Sequence, residues 1–260
     1  MLSSMRGARR IERMNDLILN NFTVLDSIYG KFIVNRHCHF QAEALVKTGR
    51  PHIEDELQKI LAIVGSLPSG AVIVDAGANI GLVAIPIARA VRDRGGVVIA
   101  YEAQRMLFYA LCGSAAINDL DNFYVHNIAL GNATMTIDVP RPNYAIAQDL
   151  GLVSLVERVA GQPTEKVLLR SLDELGLSRL DFLKIDVEGM EIDVLKGAEN
   201  LIRTQLPWCW IEYWKVGIPE IKQQFAGSPY KFFVMDKLNL LCAPEERLAA
   251  SRLTIAAPEA

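Results

Sequence analysis

The sequence predicts an α/β protein whose mostly parallel sheet is buried on both faces, and three observations carry that reading. From Ala71 onward, short apolar runs alternate with stretches of helical period, the signature of βαβ units. The first of these runs, "VIVDAGANIG" from Val72 to Gly81, ends in a turn where Gly77 and Gly81 bracket Asn79. The last two runs, "YKFFVMD" and "NLLCAP", are separated by only a few residues and read as a closing hairpin.

The elements follow in order. "IYGKFIV" predicts a hairpin around Tyr29, Gly30 and Lys31, and "IEDELQKILAIVGSL" repeats Ile53, Leu57, Ile60, Leu61 and Val64 with helical period. These form an N-terminal annex, residues 1–68, ahead of a main domain over 69–245 and a tail over 246–260. In the main domain, the strand "AVIVDAG" precedes the helix "LVAIPIARAVRD", "VVIAYEA" precedes "MLFYALCGSAAIN", and "FYVHNIALG" reads as one further strand. "ATMTIDVP" and "KVLLRSLD" add strands around a long excursion through Tyr144 and Ser154, a loop length often tied to function. "DFLKIDVEG" is a strand, "MEIDVLKGAENLIRT" a single helix, "WCWIEYW" a strand and "IPEIKQQFA" a helix.

Composition narrows the function. The chain has 260 residues, 51% hydrophobic and 22% charged, enough for one sizeable core. A net charge of −3 supplies no basic field for nucleic acid or an anionic membrane, so a small-molecule partner is expected. Cys38, Cys112, Cys209 and Cys242 lie far apart without a C-x-x-C pair, which points to free thiols and a cytoplasmic setting. The opening "MLSSMRGARRIERMNDLIL" mixes Arg6, Arg9, Arg10 and Arg13 with Glu12 and Asp16 and reads as a solvated helix rather than a secretory signal. No run reaches the ~18 apolar residues of a spanning helix, so no integral membrane association is expected.

In an open parallel sheet, ligands bind beyond the carboxyl ends of the strands, against glycine turns and helix N-termini. The turn after Val72 is the first such place. A dinucleotide fingerprint anchored at Gly77 would need glycines at 79 and 82, where the chain has Asn79 and Leu82, and a P-loop ending is absent. Glu102 lies 21 residues past Gly81, where an acid can accept ribose hydroxyls or simply begin the next helix. Asn127 and Ile128 stand beside the same crevice, either flanking an adenine or capping a strand end. Three acids converge from adjacent strand ends: Asp186 and Glu188 in "IDVEG" and Glu212 in "WIEYW". They can act as a base or share a divalent ion, and a metal-free base at Asp186 or Glu188 is the favoured version, with no metal ligand set assigned. The competing structural roles are a helix cap for Asp186, dipole partners for Glu188 and Glu191, and pairing of Glu212 with Lys215 or Lys184.

Two further groups carry less. His37, Cys38 and His39 in "NRHCHF" lack a second ligand pair, and period two would put the histidines on one strand face. Trp208 and Trp210 fit core positions, His126 a buried strand, and Trp214 a substrate wall past the strand end.

The segments "VDAGANIG", "YEA", "NIALGN", "SLDEL", "DFLKIDVEGMEIDVLKGAE", "WIEYW" and "NLLCAP" resemble the FkbM-type methyltransferases, a family of S-adenosylmethionine-dependent O-methyltransferases. The resemblance runs over roughly residues 28 to 244, and "KIDVEGMEIDVLKGA" is its most specific element. It implies a Rossmann-like class I methyltransferase fold, with a seven-stranded sheet whose last strand is antiparallel. It also implies an S-adenosyl-L-methionine cofactor, with Asp75, Gly77, Asn79 and Gly81 at the methionine end, Glu102 at the ribose, and Asn127, Ile128 and Ala129 on the adenine side. The acceptor it implies is a hydroxyl of a sugar or specialised metabolite. Two other readings keep the same sheet: a nicotinamide-dependent dehydrogenase, against which Asn79 and Leu82 argue, and a non-catalytic cofactor-binding module, against which the crevice acids argue. Gly77→Val is expected to remove cofactor binding while sparing the fold.

Overall fold

A computed structural model of the chain describes residues 20–153, 161–251, 253 and 255; the helix expected over the first residues and Ser154 lie outside them. The elements are β1 (Phe22–Ser27), β2 (Gly30–Asn35), α1 (His39–Thr48), α2 (Glu54–Ser66), β3 (Val72–Ala76), α3 (Ala84–Arg92), β4 (Val97–Tyr101) and α4 (Arg105–Ile117). They continue with β5 (Phe123–His126), β6 (Ile128–Leu130), β7 (Met135–Pro140), β8 (Thr164–Arg170), β9 (Phe182–Ile185), α5 (Glu191–Gly197) and α6 (Glu199–Gln205). The chain closes with β10 (Trp208–Glu212), α7 (Ile218–Gln224), β11 (Tyr230–Val234), β12 (Asn239–Pro244) and α8 (Glu245–Ser251). Among the described residues, no helix is long and apolar enough to cross a membrane.

Seven strands form the main sheet in the order β11-β12-β10-β9-β3-β4-β5. β3, β4, β5, β9 and β10 run parallel, while β12, the last in sequence, is antiparallel to both its neighbours. This is the Rossmann-like class I methyltransferase arrangement that the family resemblance implies. The winding leaves β3 in one direction toward β4 and β5 and in the other toward β9 and β10, so a crevice opens at the carboxyl end of β3.

Period-two alternation assigns the side chains to two cores. Ile73, Phe182, Trp208 and Trp210 join one, with the hairpin and helices α2, α3 and α4 packed over it. Val74, Leu183, Cys209 and Ile211 join the other, beneath the second sheet and helices α5, α6 and α7. The annex shares the first core through Phe32, Val34, Leu45, Ile60 and Val64. Asp181 locks the start of β9: it accepts hydrogen bonds from Val72 N at 2.9 Å, Arg179 Nε at 2.6 Å and Arg247 Nη1 at 3.0 Å.

Three local expectations change. "FYVHNIALG" is two strands in two sheets: β5 closes the main sheet and β6 joins β8 and β7 in a three-stranded one. The hinge is Asn127, whose side-chain amide donates to the carbonyls of Glu102 at 2.8 Å and Ala103 at 3.1 Å and so takes the chain out of β-pairing. "MEIDVLKGAENLIRT" breaks at Ala198 into α5 and α6, because the Asp173 carboxylate accepts from the backbone N–H groups of Asn200 and Leu201 and caps a new helix start. "NRHCHF" is a strand end followed by a helix, with Cys38 preceding the first residue of α1, so the alternation expected of His37 and His39 does not apply.

Candidate active site

The parallel register places side chains of adjacent strands in rows. Asp75 on β3 lies opposite Lys184 on β9, and Lys184 opposite Trp210 on β10, all on the face that α2 covers. Beyond this row the strands end, and Gly77, Asp186 and Glu212 rim the crevice. The Gly77 and Ala78 N–H groups both donate to the Tyr101 carbonyl at 3.0 Å, which folds the turn back toward β4. Gly77 holds φ +81° and Asn79 φ +51°, left-handed values that fit glycine and asparagine.

Glu102 pins the turn. Its carboxylate accepts from Asn79 N and from Gln104 N, each at 2.7 Å, and burial pushes its pKa up to about 7 against the lowering effect of those two bonds. Gln104 donates to the Leu150 carbonyl at 2.8 Å, leaving its own Oε1 buried without a partner. That link ties the excursion to the crevice.

A cavity of about 410 Å³ fills this space. Asp75, Gly77, Asn79, Glu102, Ile128, Ala129, Asp186, Glu188 and Glu212 all line it. Two of the residues that the resemblance assigns to the cofactor do not. Gly81 lies under helix α4, where a Cβ would come within 2.5 Å of Leu111 Cδ1, and Asn127 is the inter-sheet hinge. Trp214 is half-exposed past β10, outside the lining, with the Lys215 ammonium 5.0 Å from its ring centre. Trp208 and Trp210 are core residues, and Trp210 Nε1 donates to Glu56 Oε1 and Asn239 Oδ1 at 3.0 Å each.

The acids differ in their partners. Asp186 Oδ2 accepts from Lys184 Nζ at 3.0 Å and makes no helix cap; α5 starts at Glu191, whose carboxylate accepts from Val187 N at 3.2 Å and Gly189 N at 3.0 Å. Glu188, at φ +57°, pairs with Lys215, which is therefore not the partner of Glu212. Glu212 keeps Oε2 buried and unpartnered, and burial together with Asp186 and Glu188 pushes its pKa up to about 8. Asp75 is 1% exposed with Lys184 Nζ at 3.7 Å, and burial holds its carboxyl above the usual range. Lys184 is itself 4% exposed; burial works against its charge, but Asp186, Asp75 and Glu56 more than offset this and raise it above the ordinary lysine value.

Several lining residues carry no local signal in the sequence. Phe40 and Gln41 come from α1, Glu56 from α2, and Asp149 from the excursion, brought together only by tertiary packing. Glu56, pushed up to about 7 by burial, stands over Lys184 and Asp186. Phe40 and His52 pack at a tilt of 54° with centroids 4.4 Å apart at the annex wall, and burial lowers the His52 pKa. Seven carboxyl groups line the cavity against one lysine, a surrounding that favours a cationic or hydroxyl-rich ligand over an anion.

Comparison with known proteins places these residues in context. Residues 75–237 match the methyltransferase FkbM domain. Methyltransferase sdnD of Sordaria araneosa is 29% identical over 182 residues, covering 56% of this chain and 69% of that protein. Methyltransferase 1 of Beauveria bassiana is 27% identical over 156 residues, covering 53% and 62%. The crystal structure of methyltransferase FkbM from Methylobacillus flagellatus superposes with a TM-score of 0.50 at 18% identity, over 68% of this chain and 44% of that one.

Proposed function

The chain belongs to the FkbM methyltransferase family, and from that premise we propose that it transfers a methyl group from S-adenosylmethionine to a hydroxyl of a sugar or other specialised metabolite. The observation that carries this reading is the carboxylate-rich cavity at the switch point, lined by Glu102 and by the Asp186, Glu188 and Glu212 group. Family membership displaces the nicotinamide-dehydrogenase reading. Four free cysteines fit a reducing compartment such as the cytoplasm.

The lining suits such a cofactor. Glu102 has lone pairs left for ribose hydroxyls after its two backbone bonds, and the orphaned Gln104 Oε1 can accept another donor. Ile128 and Ala129 would form the apolar wall for the base, and the turn from Gly77 to Asn79 would let backbone approach the amino-acid end. Bound there, the sulfonium supplies an already activated methyl. The chain then has to orient the acceptor, exclude water and take a proton. Glu212 is the group we assign to that proton: its Oε2 lacks a partner, whereas Asp186 and Glu188 are each held by a lysine. With cofactor and acceptor bound, the Glu212 carboxylate would take the hydroxyl proton that methylation of the acceptor oxygen releases.

Calorimetric titration with S-adenosylhomocysteine and, separately, NAD tests the cofactor. One equivalent of S-adenosylhomocysteine should bind and NAD should not; the reverse result would overturn the reading. A second measurement tests the placement. Glu102→Ala should weaken S-adenosylhomocysteine by about 1.5 to 3 kcal/mol, the range for losing a charge-assisted acceptor. It should also lower the melting temperature, because Asn79 N and Gln104 N lose their partner. Glu102→Gln should cost less affinity, since one acceptor oxygen remains. Wild-type binding by both variants would remove Glu102 from the ribose site.

A further inference from the structure

The carboxylates of Asp186, Glu188 and Glu212 have one oxygen each within 4.8 Å of the others, a grouping that could hold a divalent ion. The structure adds a second feature. Lys184 sits two residues before Asp186, reaches along the same sheet face, and places Nζ 3.0 Å from Asp186 Oδ2 and 3.7 Å from Asp75 Oδ1. We propose that Lys184 is the resident cation of this cluster, a positioning residue standing in for a divalent ion, so that the site works without one.

Four observations support it. A lysine buried between strands is costly unless its charge is matched, and this one lies opposite Asp75 in register with Asp186 beyond it. Its contact occupies one oxygen of Asp186, a member of the trio that a metal would need. Lys215 holds a second member of the trio, Glu188. An ammonium at 3.0 Å from the Asp186 carboxylate also repels a dication directly. Lys184 thus orients Asp186, leaving Glu212 as the member of the trio without a lysine in hydrogen-bond contact. The inference rests on the reading of this cavity as the methyl-transfer site.

Mn²⁺ binding to the full chain, followed by electron paramagnetic resonance, tests it. The wild type should bind no Mn²⁺ at the cluster, and neither chelator nor Mn²⁺ should change its affinity for S-adenosylhomocysteine. Lys184→Met should bind Mn²⁺ at least about tenfold more tightly than wild type, because Asp186 is released and the ammonium's repulsion of the dication is removed. That gain should vanish when Asp186→Asn is added. Because Lys184→Met alone leaves Asp75 buried and uncompensated, Lys184→Met with Asp75→Asn is the parallel variant, and it should show the same gain. Lys184→Arg, which keeps the charge, should behave as wild type. The proposal is overturned if wild type binds Mn²⁺ in a manner that Asp186→Asn abolishes. It is equally overturned if the double variant, folded by circular dichroism, gains no Mn²⁺ site. A wild type that ignores S-adenosylhomocysteine while the Mn²⁺ results hold would sink the methyl-transfer reading and leave the cation assignment standing.

Discussion

Gly77→Ala is expected to abolish S-adenosylhomocysteine binding and to destabilise the chain by about 3 kcal/mol or more, far beyond an ordinary glycine replacement. The sequence alone suggests that a side chain here would block the cofactor and spare the fold. The geometry corrects that expectation. At φ +81° a Cβ on Gly77 would overlap the backbone carbonyl of Asp186, the residue that opens the loop after β9. Asp186 N donates to the Ala76 carbonyl at 3.0 Å, so the β3 and β9 ends are already bonded together and cannot part cheaply. Gly49 provides the control, since it holds φ +67° with nothing within 4 Å of an added Cβ. Gly49→Ala therefore carries backbone strain alone, about 1 kcal/mol. Urea denaturation of both variants isolates the collision as the difference between them. A Gly77→Ala protein as stable as Gly49→Ala and still able to bind S-adenosylhomocysteine would show that the two strand ends can separate.

How far this was legible in the sequence depends on how local each cause is. The parallel strands were legible because a two-sided strand reads as an apolar run, and "WCWIE" sends Trp208 and Trp210 to one core and Cys209 and Ile211 to the other. The antiparallel last strand was legible through the spacing of the closing hairpin and the family resemblance. The break at Asn127 was hidden because Val125, Ile128 and Leu130 continue an apolar pattern; what ends the strand is a pair of hydrogen bonds to residues 102 and 103. The break at Ala198 was hidden for a related reason, since its cap is Asp173, far back in the chain.

The crevice divides in the same way. Asp75, Asp186 and Glu212 stand at strand ends, so the fold class alone directs them to one place. Glu56 and Asp149 reach the cavity from the annex and the excursion, and no spacing rule links them to a strand end. Lys184 was visible as a residue but not as a site component. A lysine in a buried strand reads as an anomaly until the register sets Asp75 beside it. The anomaly is itself informative: a sequence that places an ammonium in a sheet interior must supply carboxylates around it.

Glu212→Gln is expected to lower the methyl-transfer rate on an accepted hydroxyl compound by on the order of 10² to 10⁴, with S-adenosylhomocysteine affinity nearly unchanged. A carboxylate base works only when ionised, and Glu212 is pushed up to about 8 by burial and by its acidic neighbours Asp186 and Glu188. The rate at low cofactor concentration should therefore rise with pH through about 8 and level off above it. At saturating cofactor the limb should move to lower pH, because the sulfonium's positive charge favours the ionised form. Asp186→Asn removes a neighbouring negative charge and should also move the limb to lower pH. Should Asp186 itself be the base, Asp186→Asn would instead cause the large loss and Glu212→Gln would leave the rate close to wild type. Rate profiles of the two amide variants from pH about 6 to 10 separate these outcomes, since a base and its electrostatic neighbour leave different marks on the same curve. A merely structural role for Glu212 would lower the rate without moving or erasing the limb.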